Sequence, residues 1–263
     1  MKSPELLVSV RSPAEAIAAI AGGCDLLDIK EPHRGSLGAA DPETILAICE
    51  AIHRSSTAPP ISIALGELTE WPGDRKPPQL APRVQYVKLG LSQCRFVPDW
   101  EERWARLRDA FQVSSPALKW ICVHYVDADA GSPHADELLQ AAEEAGCHGL
   151  LVDTFSKDGR RLFDFIEPQA LIDLRNRAGS LGLTFAVAGS LRAQDLPRLF
   201  DVSPDIVAVR GGVCSEGSRI AAVSEDAVRA FHRELDLVFG RQTARPGELD
   251  AKSPIVAISG AGP

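Results

Sequence analysis

The stretch Asp25-Leu-Leu-Asp-Ile-Lys-Glu-Pro-His-Arg-Gly-Ser-Leu-Gly38 decides how this chain folds. It opens as a short apolar strand, places a lysine at the strand's carboxyl end, and runs into a polar loop spaced by glycines. Side chains alternate faces along a strand, so Asp28 and Lys30 point one way and Leu27 and Ile29 the other. A carboxylate and an amine on the mostly apolar face of a buried strand are unfavourable there, and packing alone rarely requires them. One reading is a buried Asp28–Lys30 ion pair, which would add little stability. The other is an amine nucleophile with a carboxylate that moves its protons.

Outward from this stretch, the pattern repeats. Strand-like runs fall at 6–10, 26–30, 61–65, 84–89, 118–125, 150–153, 184–188 and 205–209. Helical patterns occupy 12–21, 42–53, 100–111, 134–145, 164–181, 193–200 and 224–239. Ser12 and Asp41 stand as N-caps, each followed by a proline at the first helical position, and Gly22-Gly23 stops the first helix. Strands alternating with helices form βαβ units, and eight of them imply a single-domain α/β fold, a closed (β/α)₈ TIM barrel over residues 1–240. Between the third and fourth strands, 71–82 carries four prolines, so we expect an extended crossover with at most one helical turn. The tail, 241–263, is rich in Pro, Gly and small residues and is expected to be mobile.

Composition narrows the function. A chain of 263 residues, 45% hydrophobic and 24% charged, is ordinary for a soluble globular protein. No leader pattern and no membrane-length apolar run is present, so a cytoplasmic location is expected. The formal charge of −8, with no basic run, argues against nucleic acid. An anionic substrate must therefore be held by local donors. The six cysteines are scattered, without metal spacing, and read as reduced packing residues.

In a barrel of this kind the active site lies at the carboxyl ends of the strands. Strand two ends with Asp28 and Lys30, strand four with Lys88, and strand six with Asp153, followed by Lys157. All three strands are even-numbered and feed the same layer of side chains, so two lysines and two carboxylates are expected to meet on the axis. That suits Schiff-base chemistry, because an amine attacks a carbonyl only when neutral. Burial and a second ammonium lower a lysine's pKa, and Lys30 and Lys88 are expected to act on each other in this way. Strands seven and eight end in Ala188-Gly189-Ser190 and Arg210-Gly211-Gly212. There, backbone N–H groups and the Arg210 fork are expected to hold a phosphate. The loop from Arg34 to Gly38 is a weaker phosphate candidate. His124, ending strand five, is placed near the mouth, and no second histidine at ligand spacing supports a metal.

At these residues the sequence resembles the (5-formylfuran-3-yl)methyl phosphate synthase family of methanofuran biosynthesis. The matching pieces run in order from Leu6-Leu-Val-Ser9 and Ala21 to Pro32, through Gly35-Ser-Leu-Gly-Ala39 and Tyr86-Val-Lys-Leu-Gly-Leu91. They continue with Asp153-Thr-Phe-Ser-Lys-Asp-Gly159, Ala188-Gly-Ser190 and Val209-Arg-Gly-Gly212. The resemblance implies a TIM-barrel lyase that joins two molecules of glyceraldehyde 3-phosphate, losing phosphate and water, with no metal or organic cofactor. It puts the Schiff-base lysine at Lys30, a proton-accepting lysine at Lys88, and further acidic and basic roles at Asp28, Asp153 and Lys157. The Pro-rich crossover and the tail depart from archaeal members of the family. We expect a homo-oligomer acting on a small triose phosphate, with no nucleic-acid or membrane partner. A different Schiff-base aldolase acting on another phosphosugar is the alternative. A catalytically silent phosphometabolite-binding barrel is the third reading.

Overall fold

In the computed structural model, residues 3–53, 58–73 and 76–240 are described. Eight parallel strands close on themselves in sequence order. They are β1 (Glu5–Val10), β2 (Leu26–Ile29), β3 (Ile61–Glu67), β4 (Val84–Gly90), β5 (Lys119–Tyr125), β6 (Gly149–Asp153), β7 (Thr184–Val187) and β8 (Ile206–Val209). The helices are α1 (Pro13–Ala21), α2 (Pro42–Ile52), α3 (Trp100–Ser114), α4 (Ala135–Glu144), α5 (Pro168–Ser180), α6 (Leu196–Leu199) and α7 (Glu225–Gly240). The expected (β/α)₈ barrel is thus present, with boundaries shifted by a few residues. The larger differences are in two helical stretches. The expected helix at 164–181 begins only at Pro168, after a separate 3₁₀ turn at Leu162–Asp164, and 193–200 divides into a 3₁₀ turn and the four-residue α6. The tail falls outside the described residues. No helix among the described residues is long and apolar enough to cross a membrane.

Strand alternation sorts the core into two shells. Leu6, Val8, Leu27, Ile29, Val87, Trp120, Cys122 and Val207 face outward and pack under the helices. Leu7, Leu26, Ala64, Val123, Leu151, Ala186 and Ala208 fill the barrel interior. The interior residues toward the amino end are apolar, whereas Ser9, Asp28, Lys30, Lys88 and Asp153 lie toward the carboxyl end and are buried. A polar layer stacked on an apolar plug marks the end where chemistry is possible.

Local signals explain the helix starts. The Ser12 hydroxyl accepts the Glu15 N–H, as an N-cap should. Asp41 makes no such bond, because Arg34 takes both of its carboxylate oxygens at 2.8 and 3.0 Å. Among the described residues between β3 and β4 there is one 3₁₀ turn, Leu68–Glu70, just before the proline-rich segment. Trp71, at the end of this turn, donates to the Leu65 carbonyl at 2.9 Å and meets the Phe111 ring edge-on. Trp71, Trp100, Trp104 and Trp120 are all buried packing residues, and the six cysteines are free thiols.

Candidate active site

Lys30, Lys88, Asp28, Asp153, Lys157, Gly189, Ser190, Arg210, Gly211 and Gly212 all border one cavity of about 200 Å³ at the carboxyl end of the strands. A larger cavity, about 800 Å³, opens at the opposite end and reaches Lys88 from below, but touches none of the other nine. The smaller one gathers the reactive groups, and position in the barrel favours it too.

Two of the three lysines carry a carboxylate partner. Lys88 Nζ lies 2.7 Å from Asp28 Oδ1, and both groups are almost wholly buried. The contact is Coulombic rather than a well-aligned hydrogen bond, since Oδ1 has no partner of acceptable angle. The other oxygen of Asp28 accepts the Ser9 hydroxyl at 3.0 Å. Burial pushes the Asp28 pKa up, but Lys88 and then Lys30 outweigh it, so the group sits below the usual carboxylate range. Lys157 Nζ donates to Asp153 Oδ1 at 3.1 Å and to the Thr154 carbonyl at 2.6 Å. Asp153 is likewise held low: burial raises it, and Lys157 and Lys30 more than reverse that.

Lys30 differs. Its amine has a neutral partner, the Ser36 carbonyl at 3.2 Å. Its pKa falls from 10.5 to about 8, chiefly through burial, against the pull of Asp153 and Asp28. Among the ammonium groups that assist, Lys157 comes ahead of Lys88. Lys88 thus lowers the Lys30 pKa in the expected direction, but burial is the largest cause and Lys157 contributes ahead of it. The alternative of a direct Asp28–Lys30 pair is not what forms.

The neighbouring loops explain the placement. The loop from Arg34 to Gly38 supplies the carbonyl that holds the lysine. Its Ser36 Oγ lies 3.2 Å from Asp153 Oδ2 and 2.9 Å from the Thr154 carbonyl, tying the β2 loop to β6. Asp127 accepts the Phe155 and Ser156 N–H groups at 2.6 and 2.7 Å and so fixes the turn that carries Lys157. Sequence reading missed Ser9, Ser36 and Asp127, since a lone Ser or Asp in a loop carries no signal until the partner is known.

The two glycine-bearing strand ends expected to hold a phosphate keep free backbone donors, and the arginine beside them is engaged elsewhere. Gly189 has φ +107° and Ser190 φ +54°, a left-handed pair in which the second residue is strained. The N–H groups of Ser190, Gly211 and Gly212 meet no acceptor in the described protein. Arg210 departs from the expected anion fork. Its guanidinium donates to Glu15 Oε2 and the Ser9 carbonyl at 2.9 Å, to Glu15 Oε1 at 3.3 Å, and to the Arg219 and Ala221 carbonyls at 2.5 and 3.4 Å. All its donors are engaged, and it clamps β8 to β1 and α1. His124 is also corrected. Val123 and Tyr125 face the interior, so His124 faces the helices, half-buried, its pKa lowered to about 4 by burial and then by His134 and Arg177.

A family model described as 4-HFC-P synthase matches residues 6–232. Over 237 residues the chain is 35% identical to the (5-formylfuran-3-yl)methyl phosphate synthase of Methanosarcina acetivorans, covering 89% of this chain and 100% of that one. This chain belongs to the 4-HFC-P synthase family. It is an enzyme of that family, and the correspondence with the synthase of Methanopyrus kandleri is similar, 34% over 220 residues, covering 82% and 92% of the two chains. Solved structures add the fold alone. KGPDC from Streptococcus mutans superposes with a TM-score of 0.56 at 14% identity, over 91% of this chain and 100% of that one. Thiamine phosphate pyrophosphorylase from Pyrococcus furiosus gives 0.57 at 14%, over 90% and 98%.

Proposed function

We propose that this family member is a lyase that condenses two molecules of glyceraldehyde 3-phosphate into (5-formylfuran-3-yl)methyl phosphate through an imine on Lys30, as a step of methanofuran-type biosynthesis. The observation that carries the reading is the contrast among the three lysines: Lys88 and Lys157 hold carboxylates, and Lys30 holds only a carbonyl. With a pKa of about 8, roughly a quarter of Lys30 is neutral near pH 7.5, against about one part in a thousand for an ordinary lysine. That is a gain of over two hundredfold in nucleophile before any orientation effect.

The residues divide the work as follows. Lys30 attacks the aldehyde carbon, and Lys88 protonates the departing hydroxyl of the carbinolamine so that water leaves. Lys88, now neutral, takes the α-proton and regains its charge beside Asp28, giving an enamine whose carbon attacks the second aldehyde. Asp28 remains ionised and holds Lys88 in place, and the Asp153–Lys157 pair does the same for the opposite wall. The N–H groups of Ser190, Gly211 and Gly212 receive a phosphate, fixing one triose against Lys30. Elimination of phosphate and ring closure to an aromatic furan draw the sequence forward.

Borohydride reduction in the presence of glyceraldehyde 3-phosphate, followed by peptide mass analysis, tests this. We expect one triose adduct on Lys30, together with release of inorganic phosphate and an ultraviolet-absorbing product from that substrate alone. An adduct that persists in Lys30→Ala, or turnover without any adduct, rejects the assignment. Imine formation without phosphate release points instead to an aldolase.

A further inference from the structure

Most of the positive charge at the mouth is already matched. Lys88, Lys157 and Arg210 pair with Asp28, Asp153 and Glu15, and Arg161, on the rim, holds both oxygens of Asp195. Arg192 and Arg219 border the same cavity and are different. Arg192 donates to the Gly217 carbonyl at 3.4 Å, and Arg219 to the Gly35 carbonyl at 2.8 Å. Among the described residues neither guanidinium lies within ion-pair distance of a carboxylate. Burial lowers the pKa of Arg219, and Asp153 and Glu31 oppose this only from beyond ion-pair range. Arg219 is partly buried, and one neutral acceptor leaves most of its fork unsatisfied, which is unfavourable unless an anion arrives, whereas Arg192 is exposed and keeps its free donors in water at the cavity rim. In a chain of net charge −8, two guanidiniums without a carboxylate partner at one cavity are a local exception.

We propose that Arg192 and Arg219, on either side of Gly217, form a second anion subsite, separate from the backbone cradle, that takes the phosphate expelled in the reaction. This rests on the reading above, in which two phosphorylated trioses are bound together and one phosphate is lost. The cradle at Ser190, Gly211 and Gly212 offers neutral N–H donors for the ester that is retained. The arginine pair offers charge where charge develops. In the elimination, the C–O bond to phosphate breaks with its electron pair departing on the phosphate oxygen. A proton leaves the adjacent carbon for a lysine amine of the cup, and a C=C bond forms. Two guanidinium forks stabilise the departing anion more than the bound ester, so they lower the barrier as well as aiding binding. Their place at the rim gives the free ion a route to solvent.

The test uses Arg192→Ala, Arg219→Ala and the double variant, with Arg192→Lys and Arg219→Lys as conservative controls. Titration with inorganic phosphate is expected to find two ions per chain in the wild type and one in the double variant. Borohydride trapping on Lys30 should remain within about twofold of wild type. Product formation should fall about tenfold to a hundredfold for each arginine removed, the usual range for a charge-assisted hydrogen bond lost. The lysine variants should recover part of that loss, because they restore the charge without the fork. Wild-type binding of a single phosphate, two phosphates in the double variant, or undiminished turnover would each overturn the proposal. If no imine forms on Lys30 in the wild type while two phosphates still bind, the subsite stands and the reaction assigned to it fails.

Discussion

Replacing Lys30 with methionine should make the protein more stable while abolishing catalysis. Methionine keeps most of the aliphatic stem and removes the buried charge. The fall in the Lys30 pKa from 10.5 to about 8 means that, below pH 8, the folded protein holds an ammonium in a place that disfavours it. At 1.36 kcal/mol per unit, this is about 3 kcal/mol. The lost hydrogen bond to the Ser36 carbonyl offsets about 1 kcal/mol, leaving a net gain of about 2 kcal/mol at pH 7. Between pH 8 and 10.5 the unfolded wild type binds more protons than the folded form, so its own stability climbs with pH through that window. The advantage of the variant should therefore be complete below pH 8 and gone above about pH 10.5. Urea unfolding of both proteins across pH 7 to 10.5 measures it, and for a domain of this size the shift at pH 7 corresponds to roughly 4–8 °C in melting temperature. A variant less stable than wild type at pH 7, or a difference that does not change with pH, would refute the reasoning.

Catalysis should carry the same signature: kcat/KM is expected to decline below about pH 8 as Lys30 becomes protonated. In Lys157→Met that limb should move to higher pH, because an ammonium that depresses Lys30 is gone and Asp153 is left to attract it. A pH–rate profile that does not move contradicts the placement of Lys157. Asp28→Asn leaves the buried Lys88 without its counter-ion and should cost about 3–5 kcal/mol in denaturant unfolding. Much of that should return in the double variant Asp28→Asn with Lys88→Met, and a neutral single variant would argue that the pair does not form. Arg210→Lys removes the fork that joins Glu15, Ser9 and two carbonyls, so we expect it to lose about 3 kcal/mol of stability. Phosphate affinity measured on the folded protein should change less than in the Arg192 and Arg219 variants.

The eight strands were legible because burial on both faces of a parallel barrel writes itself as short apolar runs, and the breaks in those runs coincide with the polar residues of the mouth. Asp28, Lys30, Lys88 and Asp153 stood out because charge inside an apolar strand has few structural uses. Asp41 and Arg210 show where such reading fails. Asp41 sits in an N-cap position and Arg210 follows a strand beside two glycines, yet each is taken by a partner far from it or in another element, Arg34 and Glu15. A local pattern states what a side chain can do and says nothing of the competitor that reaches it first.

The sequence alone determined the barrel, the end of it at which the buried charges collect, and the set of residue types gathered there, since periodicity and strand-end position are properties of the chain taken segment by segment. Only the tertiary structure decided the pairing: that Lys88 goes to Asp28 and Lys157 to Asp153 while Lys30 is left with a carbonyl. Which amine can lose its proton is a matter of distances between strands two, four and six. Those distances are fixed by closure of the barrel and not by any spacing along the polypeptide.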